Sequence, residues 1–158
     1  MLIVYLGIGS NIDAKQNVSR TKLSLTNRFP QAQFSRTFES EAVGFEGDNF
    51  LNLVAKIETD ESLDDLLATI KNLEDELGRV RGGEKFSSRH IDIDILIYGD
   101  LVCDNPIILP REEVNLNAYV LWPLAELAPD LVEPGGVKTY SQLWSEFDKK
   151  SQKLRPID

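Results

Sequence analysis

The spacing of apolar and polar residues predicts both strands and helices along this chain. Short apolar or alternating segments, which indicate strands, lie at residues 2–8, 33–38, 50–58 and 91–97. Apolar residues three and four positions apart, which indicate helices, lie at about 13–27 and at 62–77. The second helix carries its own boundary signals, because Ser62 and Asp65 form a capping box and Gly78 stands where a C-terminal glycine is favoured.

The order of these elements predicts the fold class. Strand, helix, strand, strand, helix, strand is the succession of a ferredoxin-like βαββαβ sandwich, an α+β fold with an antiparallel sheet. C-terminal additions follow, with an irregular stretch at 99–117, a partly helical one at 119–128 and a last helix after residue 137. Because no repeat, low-complexity tract or linker interrupts the chain, we expect a single domain over residues 1–158.

Composition narrows the possible functions. The chain has 158 residues and a formal charge of −9, so we expect neither nucleic acid nor an anionic membrane as a partner. No apolar run approaches the roughly 20 residues of a membrane span, and the N-terminus has no leader pattern, so we expect a cytoplasmic protein. A single cysteine, Cys103, excludes an internal disulfide, and a single histidine, His90, argues against a zinc site.

Two aspartates on the last predicted strand are the strongest chemical signal. Isoleucines occupy the odd positions of 91–97, so Asp92 and Asp94 are expected on the opposite face, roughly 6.5 Å apart. Paired carboxylates repel each other unless a cation compensates them, and Mg²⁺ is commonly held by one or two carboxylates and substrate phosphates. The pair therefore indicates a metal-dependent phosphoryl-transfer site. Acids on the solvent face of a half-exposed strand are the alternative, and this run alone does not decide between them.

Basic residues cluster just before this strand. The cluster comprises Lys71, Arg79, Arg81, Lys85 and Arg89. Guanidinium groups match phosphate oxygens in pairs and offset the charge that develops on a transferred phosphate, so the cluster predicts phosphate binding. The alternative is a solvated helix end, where a cation such as Arg79 favours the helix dipole.

Phe50 and Asn52 share one face of the third predicted strand. A flat apolar ring beside an amide that both donates and accepts suits a planar heterocycle. Packing and edge hydrogen bonding are the alternative for these two residues.

Two common nucleotide-binding motifs are incomplete or missing. Residues 7–12 follow a strand and precede a helix, like the first half of a dinucleotide fingerprint, but the third glycine is missing and hairpin-like strands follow. There is also no Walker-type loop, so any kinase activity must use a different scaffold.

Six motifs in a fixed order suggest a family. They are Gly9–Asn11, Phe38–Gly44, Phe50–Asn52, Leu73–Arg81, Arg89–Asp94 and Tyr119–Pro129. Each motif is weak alone, but all six in register are specific. On these motifs the chain resembles the 6-hydroxymethyl-7,8-dihydropterin pyrophosphokinase family, folate-pathway enzymes that move pyrophosphate from ATP to a pterin alcohol.

The resemblance implies the catalytic groups. Asp92 and Asp94 would hold two Mg²⁺ ions that bridge the ATP phosphates, and Asp94 would also be the candidate base for the pterin hydroxyl. Arg81 and Arg89 would neutralise the charge of the triphosphate, with Arg89 on a mobile loop that closes over the nucleotide and excludes water.

The resemblance also implies two sets of substrate contacts. The expected pterin contacts are Ser40, Val43, Phe50, Asn52 and Tyr119, with the rings of Phe50 and Tyr119 on the two faces of the pterin. The expected nucleotide contacts are Lys71, Arg79, Arg81, Phe86, Arg89 and Arg111.

The chain departs from the family pattern near the nucleotide. Residues 86–89 read Phe-Ser-Ser-Arg, where the family usually has Trp-Gly-Pro-Arg. Arg111 follows Pro110 where a histidine is usual, and Asn117 falls where an arginine is usual. The expected metal ligands Asp92 and Asp94 and the expected pterin contacts Phe50, Asn52 and Tyr119 thus match the family pattern better than the expected contacts to the distal phosphates do. Loss of one preorganised cation can lower the rate about 10²-fold.

The predicted activity is Mg²⁺-dependent transfer of the β,γ-pyrophosphate of ATP to the pterin alcohol, by in-line attack on the β-phosphorus. The products would be the pterin diphosphate and AMP, and the protein would be a monomer or weak dimer. The alternatives are a degenerate relative that binds pterin or nucleotide with little turnover, a palm-like nucleotidyl transferase or cyclase, and a non-catalytic ferredoxin-like interaction module.

Overall fold

The computed structural model describes residues 1–41, 49–78 and 91–158. The strands are β1 (Leu2–Ser10), β2 (Gln33–Phe34), β3 (Phe38–Ser40), β4 (Phe50–Thr59), β5 (Asp92–Tyr98) and β6 (Leu154–Pro156). The helices are α1 (Ala14–Arg28), α2 (Leu63–Glu76), α3 (Glu113–Leu116), α4 (Ala118–Leu127) and α5 (Tyr140–Glu146). None of the described helices is long and apolar enough to cross a membrane.

The strands form one antiparallel sheet in the order β5-β1-β4-β3-β6, with β2 pairing β4 beside this path. The first strand pairs with β4 along its whole length, from Leu2 opposite Thr59 to Ser10 opposite Leu51. It pairs with β5 on its other side. The predicted α+β class and antiparallel sheet are therefore confirmed.

Helices α1 and α2 cover one face of the sheet. The core on this face contains the helix residues Val18, Leu25, Leu66, Ile70 and Leu73 and the strand residues Val4, Leu6, Ile8, Leu51, Leu53, Ala55, Ile57, Ile91, Ile93 and Ile95. The alternation predicted for residues 50–58 is thus confirmed. The helix predicted at 62–77 is α2, where Ser62 Oγ accepts a hydrogen bond from Asp65 N at 3.2 Å and Gly78 has a left-handed φ of 89°.

Helix α4 covers only part of the other face. The second core contains Tyr5, Val54, Leu96, Ile97, Val120, Leu121, Leu124, Ala125 and Tyr140 of α5. Farther along β1, the same face of the sheet carries glycine and polar residues in place of large apolar side chains. The sheet is therefore open there, next to the first residues of α4.

The prediction for Ile97 was wrong. It was expected on the face of the other β5 isoleucines, but it packs in the core under α4. The ladder between β1 and β5 shifts between Tyr5, which lies opposite Ile97, and Leu6, which lies opposite Ile95. This bulge leaves Leu96 without an opposite residue, so the period of two restarts after it.

The strand predicted at 33–38 is divided into β2 and β3. Between them Ser35 N donates to Val54 O at 2.9 Å, while Ser35 Oγ accepts from Val54 N at 2.9 Å. A serine hydroxyl thus takes the place of a backbone carbonyl, which interrupts the regular ladder. The C-terminal strand β6 was not predicted; it pairs with β3 at the edge of the sheet.

Candidate active site

The open part of the sheet forms the floor of a cavity of about 770 Å³. The sheet contributes Gly7, Gly9, Phe50, Asn52, Asp92 and Asp94 to its lining. The segment around the start of α4 contributes Glu113, Asn117 and Tyr119, and further contributions come from Ser40, Glu41 and the C-terminal residues 150–154. A cleft of this size is in the range of small-molecule sites.

Two glycines keep the centre of this floor bare. Gly9 of β1 lies opposite Asn52 of β4 on one side and opposite Asp92 of β5 on the other, and Gly7 lies opposite Asp94. A Cβ atom on Gly9 would sit 3.0 Å from Asn52 Oδ1. Because neighbouring strands are about 4.8 Å apart, the backbones at Asn52 and Asp92 are about 10 Å apart across a strip without side chains. A flat ligand can lie on this strip.

The role of these glycines as a bare floor was not predicted, although residues 7–12 resemble part of a dinucleotide fingerprint and Gly9 belongs to the first family motif. The sequence feature that indicates this bare floor is the spacing of two residues between Gly7 and Gly9 within one strand, because that spacing puts both glycines on the same face of the sheet. Their pairing with β5 then brings that face level with the aspartates.

Asp92 and Asp94 both line the cavity, on the face opposite the core isoleucines of β5. Burial is the main cause that raises the pKa of Asp94 from 3.8 to about 6, and the charge of Asp92 raises it further. Arg111 opposes the shift, whereas Glu113 and Glu74 add to it. The site therefore disfavours the negative charge of this carboxylate, and a bound cation would relieve that penalty.

A buried glutamate fixes the strand between the two aspartates. Glu74 of α2 is 4% exposed, and its Oε2 accepts a hydrogen bond from Ile93 N at 2.9 Å. Since β5 is an edge strand, this carboxylate satisfies an N–H group on the unpaired side of the ladder. Glu74 therefore holds the backbone that carries the acid pair.

Arg111 lies beside Asp94, although it does not line the cavity. Its Nη2 is 4.0 Å from Asp94 Oδ1, and its Nε donates to Ile95 O at 3.2 Å. Its backbone N–H donates to Leu96 O at 2.9 Å. Arg111 thus places a cation next to the acid pair at the position where the family pattern has a histidine, and its contact with the nucleotide stays a prediction.

The predicted pterin contacts that the structure describes lie together. Asn52 Nδ2 donates to Ser40 Oγ at 2.9 Å, and Phe50 lines the cavity from the same face of β4. Tyr119 lines it from α4, and its hydroxyl accepts a hydrogen bond from Asn117 Nδ2 at 3.0 Å. Burial raises the pKa of Tyr119, which keeps its hydroxyl protonated. Two aromatic rings and an amide on different sides of one cleft suit a planar heterocycle.

One predicted nucleotide contact, Lys71, is not brought to the cavity. Lys71 is exposed on α2, which packs on the opposite face of the sheet. Val43, Arg79, Arg81, Phe86 and Arg89 lie outside the described residues, so their roles stay predictions. The cavity residues that were not predicted as contacts include Glu113 and residues 150–154, since only the folded chain brings them next to the acid pair.

Comparison with known proteins decides the family. The family model for 7,8-dihydro-6-hydroxymethylpterin-pyrophosphokinase (HPPK) matches residues 5–129. The chain belongs to this family. A 2-amino-4-hydroxy-6-hydroxymethyldihydropteridine pyrophosphokinase from Aquifex aeolicus is 34% identical over 160 residues, which cover 99% of this chain and 96% of the relative. The protein of the same name from Haemophilus influenzae is 31% identical over 162 residues, which cover 99% of this chain and all of the relative.

Longer proteins also contain a related part. The folic acid synthesis protein fol1 of Schizosaccharomyces pombe is 35% identical over 159 residues, but the match spans only 21% of its length. The crystal structure of wild-type Plasmodium falciparum HPPK-DHPS with SDX-DHP superimposes with a TM-score of 0.68 at 13% identity. That match covers 92% of this chain and 43% of the other. At this identity the likeness shows the fold alone.

The match to the HPPK family covers most of the cavity but not all of it. The acid pair, the Phe50–Asn52 segment and Tyr119 lie inside residues 5–129. The cavity residues 150–154 lie beyond that range. The C-terminal wall of the cavity is therefore a feature that the family model does not cover.

Proposed function

We propose that this cavity is where the chain transfers pyrophosphate from ATP to 6-hydroxymethyl-7,8-dihydropterin, giving the pterin diphosphate and AMP. One observation carries the assignment: Asn52, Gly9 and Asp92 form a single row across three paired strands. The row sets an amide suited to a heterocycle on one side of the bare strip and a metal-binding acid on the other. A pterin lying over Gly9 would have its ring beside Asn52 and its hydroxymethyl group toward the acids.

The acid pair fits magnesium. Among the described residues, no third acidic, histidine or cysteine side chain joins Asp92 and Asp94 in a group that could ligate a metal. Mg²⁺ suits such a pair, because it is usually held by one or two carboxylates and completes its shell with water and phosphate oxygens. Asp92 and Asp94 would hold the two predicted ions, which supply charge neutralisation at the attacking and leaving oxygens.

The chain's own residues would bind and orient the two substrates. Phe50 and Tyr119 would hold the pterin ring between them, while Asn52 would pair with its polar edge. Asp94 would accept the proton of the pterin hydroxyl at a carboxylate oxygen. Arg111 would lie near the triphosphate of ATP, where a preplaced cation would offset the charge that develops on the leaving AMP as the bond to its α-phosphate oxygen breaks. Arg81 and Arg89 are proposed for the same task.

A turnover assay with the pterin alcohol, ATP and Mg²⁺ tests this function. Chromatography should show AMP and the pterin diphosphate in equal amounts, and no ADP. Asn or Ala at Asp92 or Asp94 should lower the rate by at least about 10²-fold, on the scale of losing one preorganised electrostatic group. Formation of ADP would contradict the pyrophosphoryl transfer.

A degenerate relative without turnover is the second candidate. Asn117, which falls where the family usually has an arginine, is a neutral amide hydrogen bonded to Tyr119. It therefore supplies no charge to a triphosphate. Calorimetry that finds tight pterin binding, without any dependence on Mg²⁺ and ATP and without AMP formation, would favour this candidate. Membership in the HPPK family removes the reason for a palm-like nucleotidyl transferase.

We further infer that the sheet is ferredoxin-like and that residues 1–158 form one pterin pyrophosphokinase domain. The sheet order supports the topology if β2 and β3 are taken as one interrupted strand, because the order then reads fourth, first, third, second. A cytoplasmic location and a monomer or weak dimer stay predictions. Sedimentation of the purified chain would test the oligomeric state.

A further inference from the structure

The C-terminal segment is attached to the strand that carries Ser40. β6 pairs with β3, with Leu154 opposite Ser40 and Arg155 opposite Glu39. The side chains of Arg155 and Glu39 also form an ion pair. Beyond β6, the N–H of Ile157 donates to Thr37 O at 2.9 Å. The segment that precedes β6 is therefore held along one side of the cavity, and residues 150–154 line it.

From this side, Gln152 reaches the opposite wall. Its Oε1 accepts a hydrogen bond from Ala118 N at 2.7 Å, and its Nε2 donates to Leu116 O at 2.8 Å. Leu116 ends α3 and Ala118 begins α4, so one side chain satisfies a carbonyl at one helix end and an N–H group at the next. Ala118 is 1% exposed. If the Gln152 side chain were removed, the Ala118 N–H group would lose its hydrogen-bond partner, and water replaces such a partner poorly at a buried site.

The residue between these two contacts is Asn117, which has an extended backbone at the junction of α3 and α4. Its side chain donates to the hydroxyl of Tyr119, the first aromatic residue of α4. Gln152 therefore fixes the backbone on both sides of Asn117, and through it the position of the Tyr119 ring.

We propose that Gln152 is a positioning residue that sets the Tyr119 ring over the substrate, and that residues 150–154 form the third wall of the pterin slot. This inference rests on the proposed pterin site. It adds a substrate-affinity role to a part of the chain that lies beyond the residues matched by the family model. The Tyr119 ring can stack on a heterocycle only at a suitable distance from Phe50. The two hydrogen bonds of Gln152 to Leu116 and Ala118, here called the Gln152 clamp, limit how far the start of α4 can move and so maintain that distance.

The test compares Gln152→Met with Gln152→Glu. Methionine keeps the length of the side chain and loses both hydrogen bonds, whereas glutamate keeps the acceptor and loses the donor. The pterin alcohol is titrated by calorimetry into the full chain, saturated with Mg²⁺ and a non-hydrolysable ATP analogue. We expect the Kd for the pterin to rise about tenfold for Gln152→Met, as two lost hydrogen bonds allow, and less for Gln152→Glu. The KM for ATP should change less than about twofold, because no contact is lost at the acid pair.

Gln142→Met is the matched control. Gln142 Oε1 accepts from Thr139 N at 2.8 Å at the start of α5, so the same substitution removes a helix cap that does not line the cavity. Its thermal unfolding should shift about as much as that of Gln152→Met, while its pterin Kd stays at the wild-type value. Equal pterin affinities for the two variants would overturn the positioning role.

A double-mutant cycle with Tyr119→Leu shows whether Gln152 acts through the ring. If it does, Gln152→Met should change the pterin Kd less than about twofold once the ring is gone, because the two effects are coupled. Full additivity would contradict the inference while leaving the proposed function intact. A wild-type chain that takes up no pterin under these conditions would overturn both.

Discussion

Replacing Asp94 with asparagine should stabilise the metal-free protein at neutral pH. Burial and the neighbouring Asp92 raise the pKa of the Asp94 carboxyl from 3.8 to about 6 in the folded chain. A folded-state pKa above the unfolded value means that the folded chain holds the proton more tightly. Ionised Asp94 therefore lowers the free energy of unfolding. This destabilisation is absent well below pH 3.8, grows between pH 3.8 and about 6, and is complete above that window.

The size of this penalty follows from the shift and from solvent exposure. A shift of about two units corresponds to about 3 kcal/mol if it is converted in full. The Asp94 side chain is 44% exposed, however, and it loses an ion pair at 4.0 Å to Arg111 on substitution. Solvent screening reduces such contributions strongly, so we expect about 1 kcal/mol. For a chain of this length that is a rise in Tm of about 3 °C.

Circular dichroism melts in EDTA at pH 8 and pH 4 measure this effect. Asp94→Asn should melt higher than wild type at pH 8 and close to it at pH 4. Asp104→Asn, at an exposed loop aspartate, is the control for removing one negative charge. Mg²⁺ with an ATP analogue should then stabilise wild type more than Asp94→Asn, because the variant keeps only one of the two carboxylates that would bind the ions. A lower Tm for Asp94→Asn at pH 8, or the same shift at both pH values, would refute the reasoning.

Substitutions at three further positions separate the proposed pterin side of the cavity from the proposed nucleotide side. Gly9→Ala places a Cβ atom 3.0 Å from Asn52 Oδ1 and should disturb the proposed hydrogen bond between Asn52 and the pterin. Steady-state kinetics should show a KM for the pterin about fivefold higher and an unchanged KM for ATP; equal changes in the two KM values would contradict this prediction. Tyr119→Leu should raise the pterin Kd about tenfold by loss of stacking, whereas Tyr119→Phe should stay within about threefold; similar calorimetric values for the two would exclude a stacking role. Arg111→Met should lower kcat/KM for ATP about 10²-fold, with Arg111→Lys in between; an unchanged value would show that Arg111 only pairs with Asp94.

Local periodicity was enough to predict the strands that carry Asp92 and Asp94 and Phe50 and Asn52. Along β4, apolar residues at every second position identify the buried face, so Phe50 and Asn52 could be assigned to the other one. The same reasoning put Asp92 and Asp94 on the cavity side of β5. Such patterns are informative because a strand alternates its side chains strictly, whatever lies next to it.

The rest depends on contacts between distant parts of the chain. β6 pairs with β3 more than a hundred residues earlier, and nothing in the three residues Leu154–Pro156 specifies that partner. The hydrogen bonds of Gln152 to Ala118 and Leu116 have the same origin, since they join residues that are 34 and 36 positions apart along the chain. The interruption at Ser35 also escaped prediction, because it requires Val54 as the hydrogen-bond partner.

The bulge in β5 lets one strand serve both the site and the core. A strict period of two from Asp92 would put Ile97 on the face covered by α1 and α2. The shift opposite Tyr5 and Leu6 occurs just beyond Asp94, so Asp92 and Asp94 line the cavity while Leu96 and Ile97 both pack in the second core together with residues of α4. The helix that carries Tyr119 packs mainly on β4, which carries Phe50 and Asn52, and β4 is joined to the acid-bearing β5 through β1. The ring that would hold the pterin and the carboxylates that would hold its phosphate donor are thus both supported by the same hydrogen-bonded sheet, which limits how far their spacing can vary.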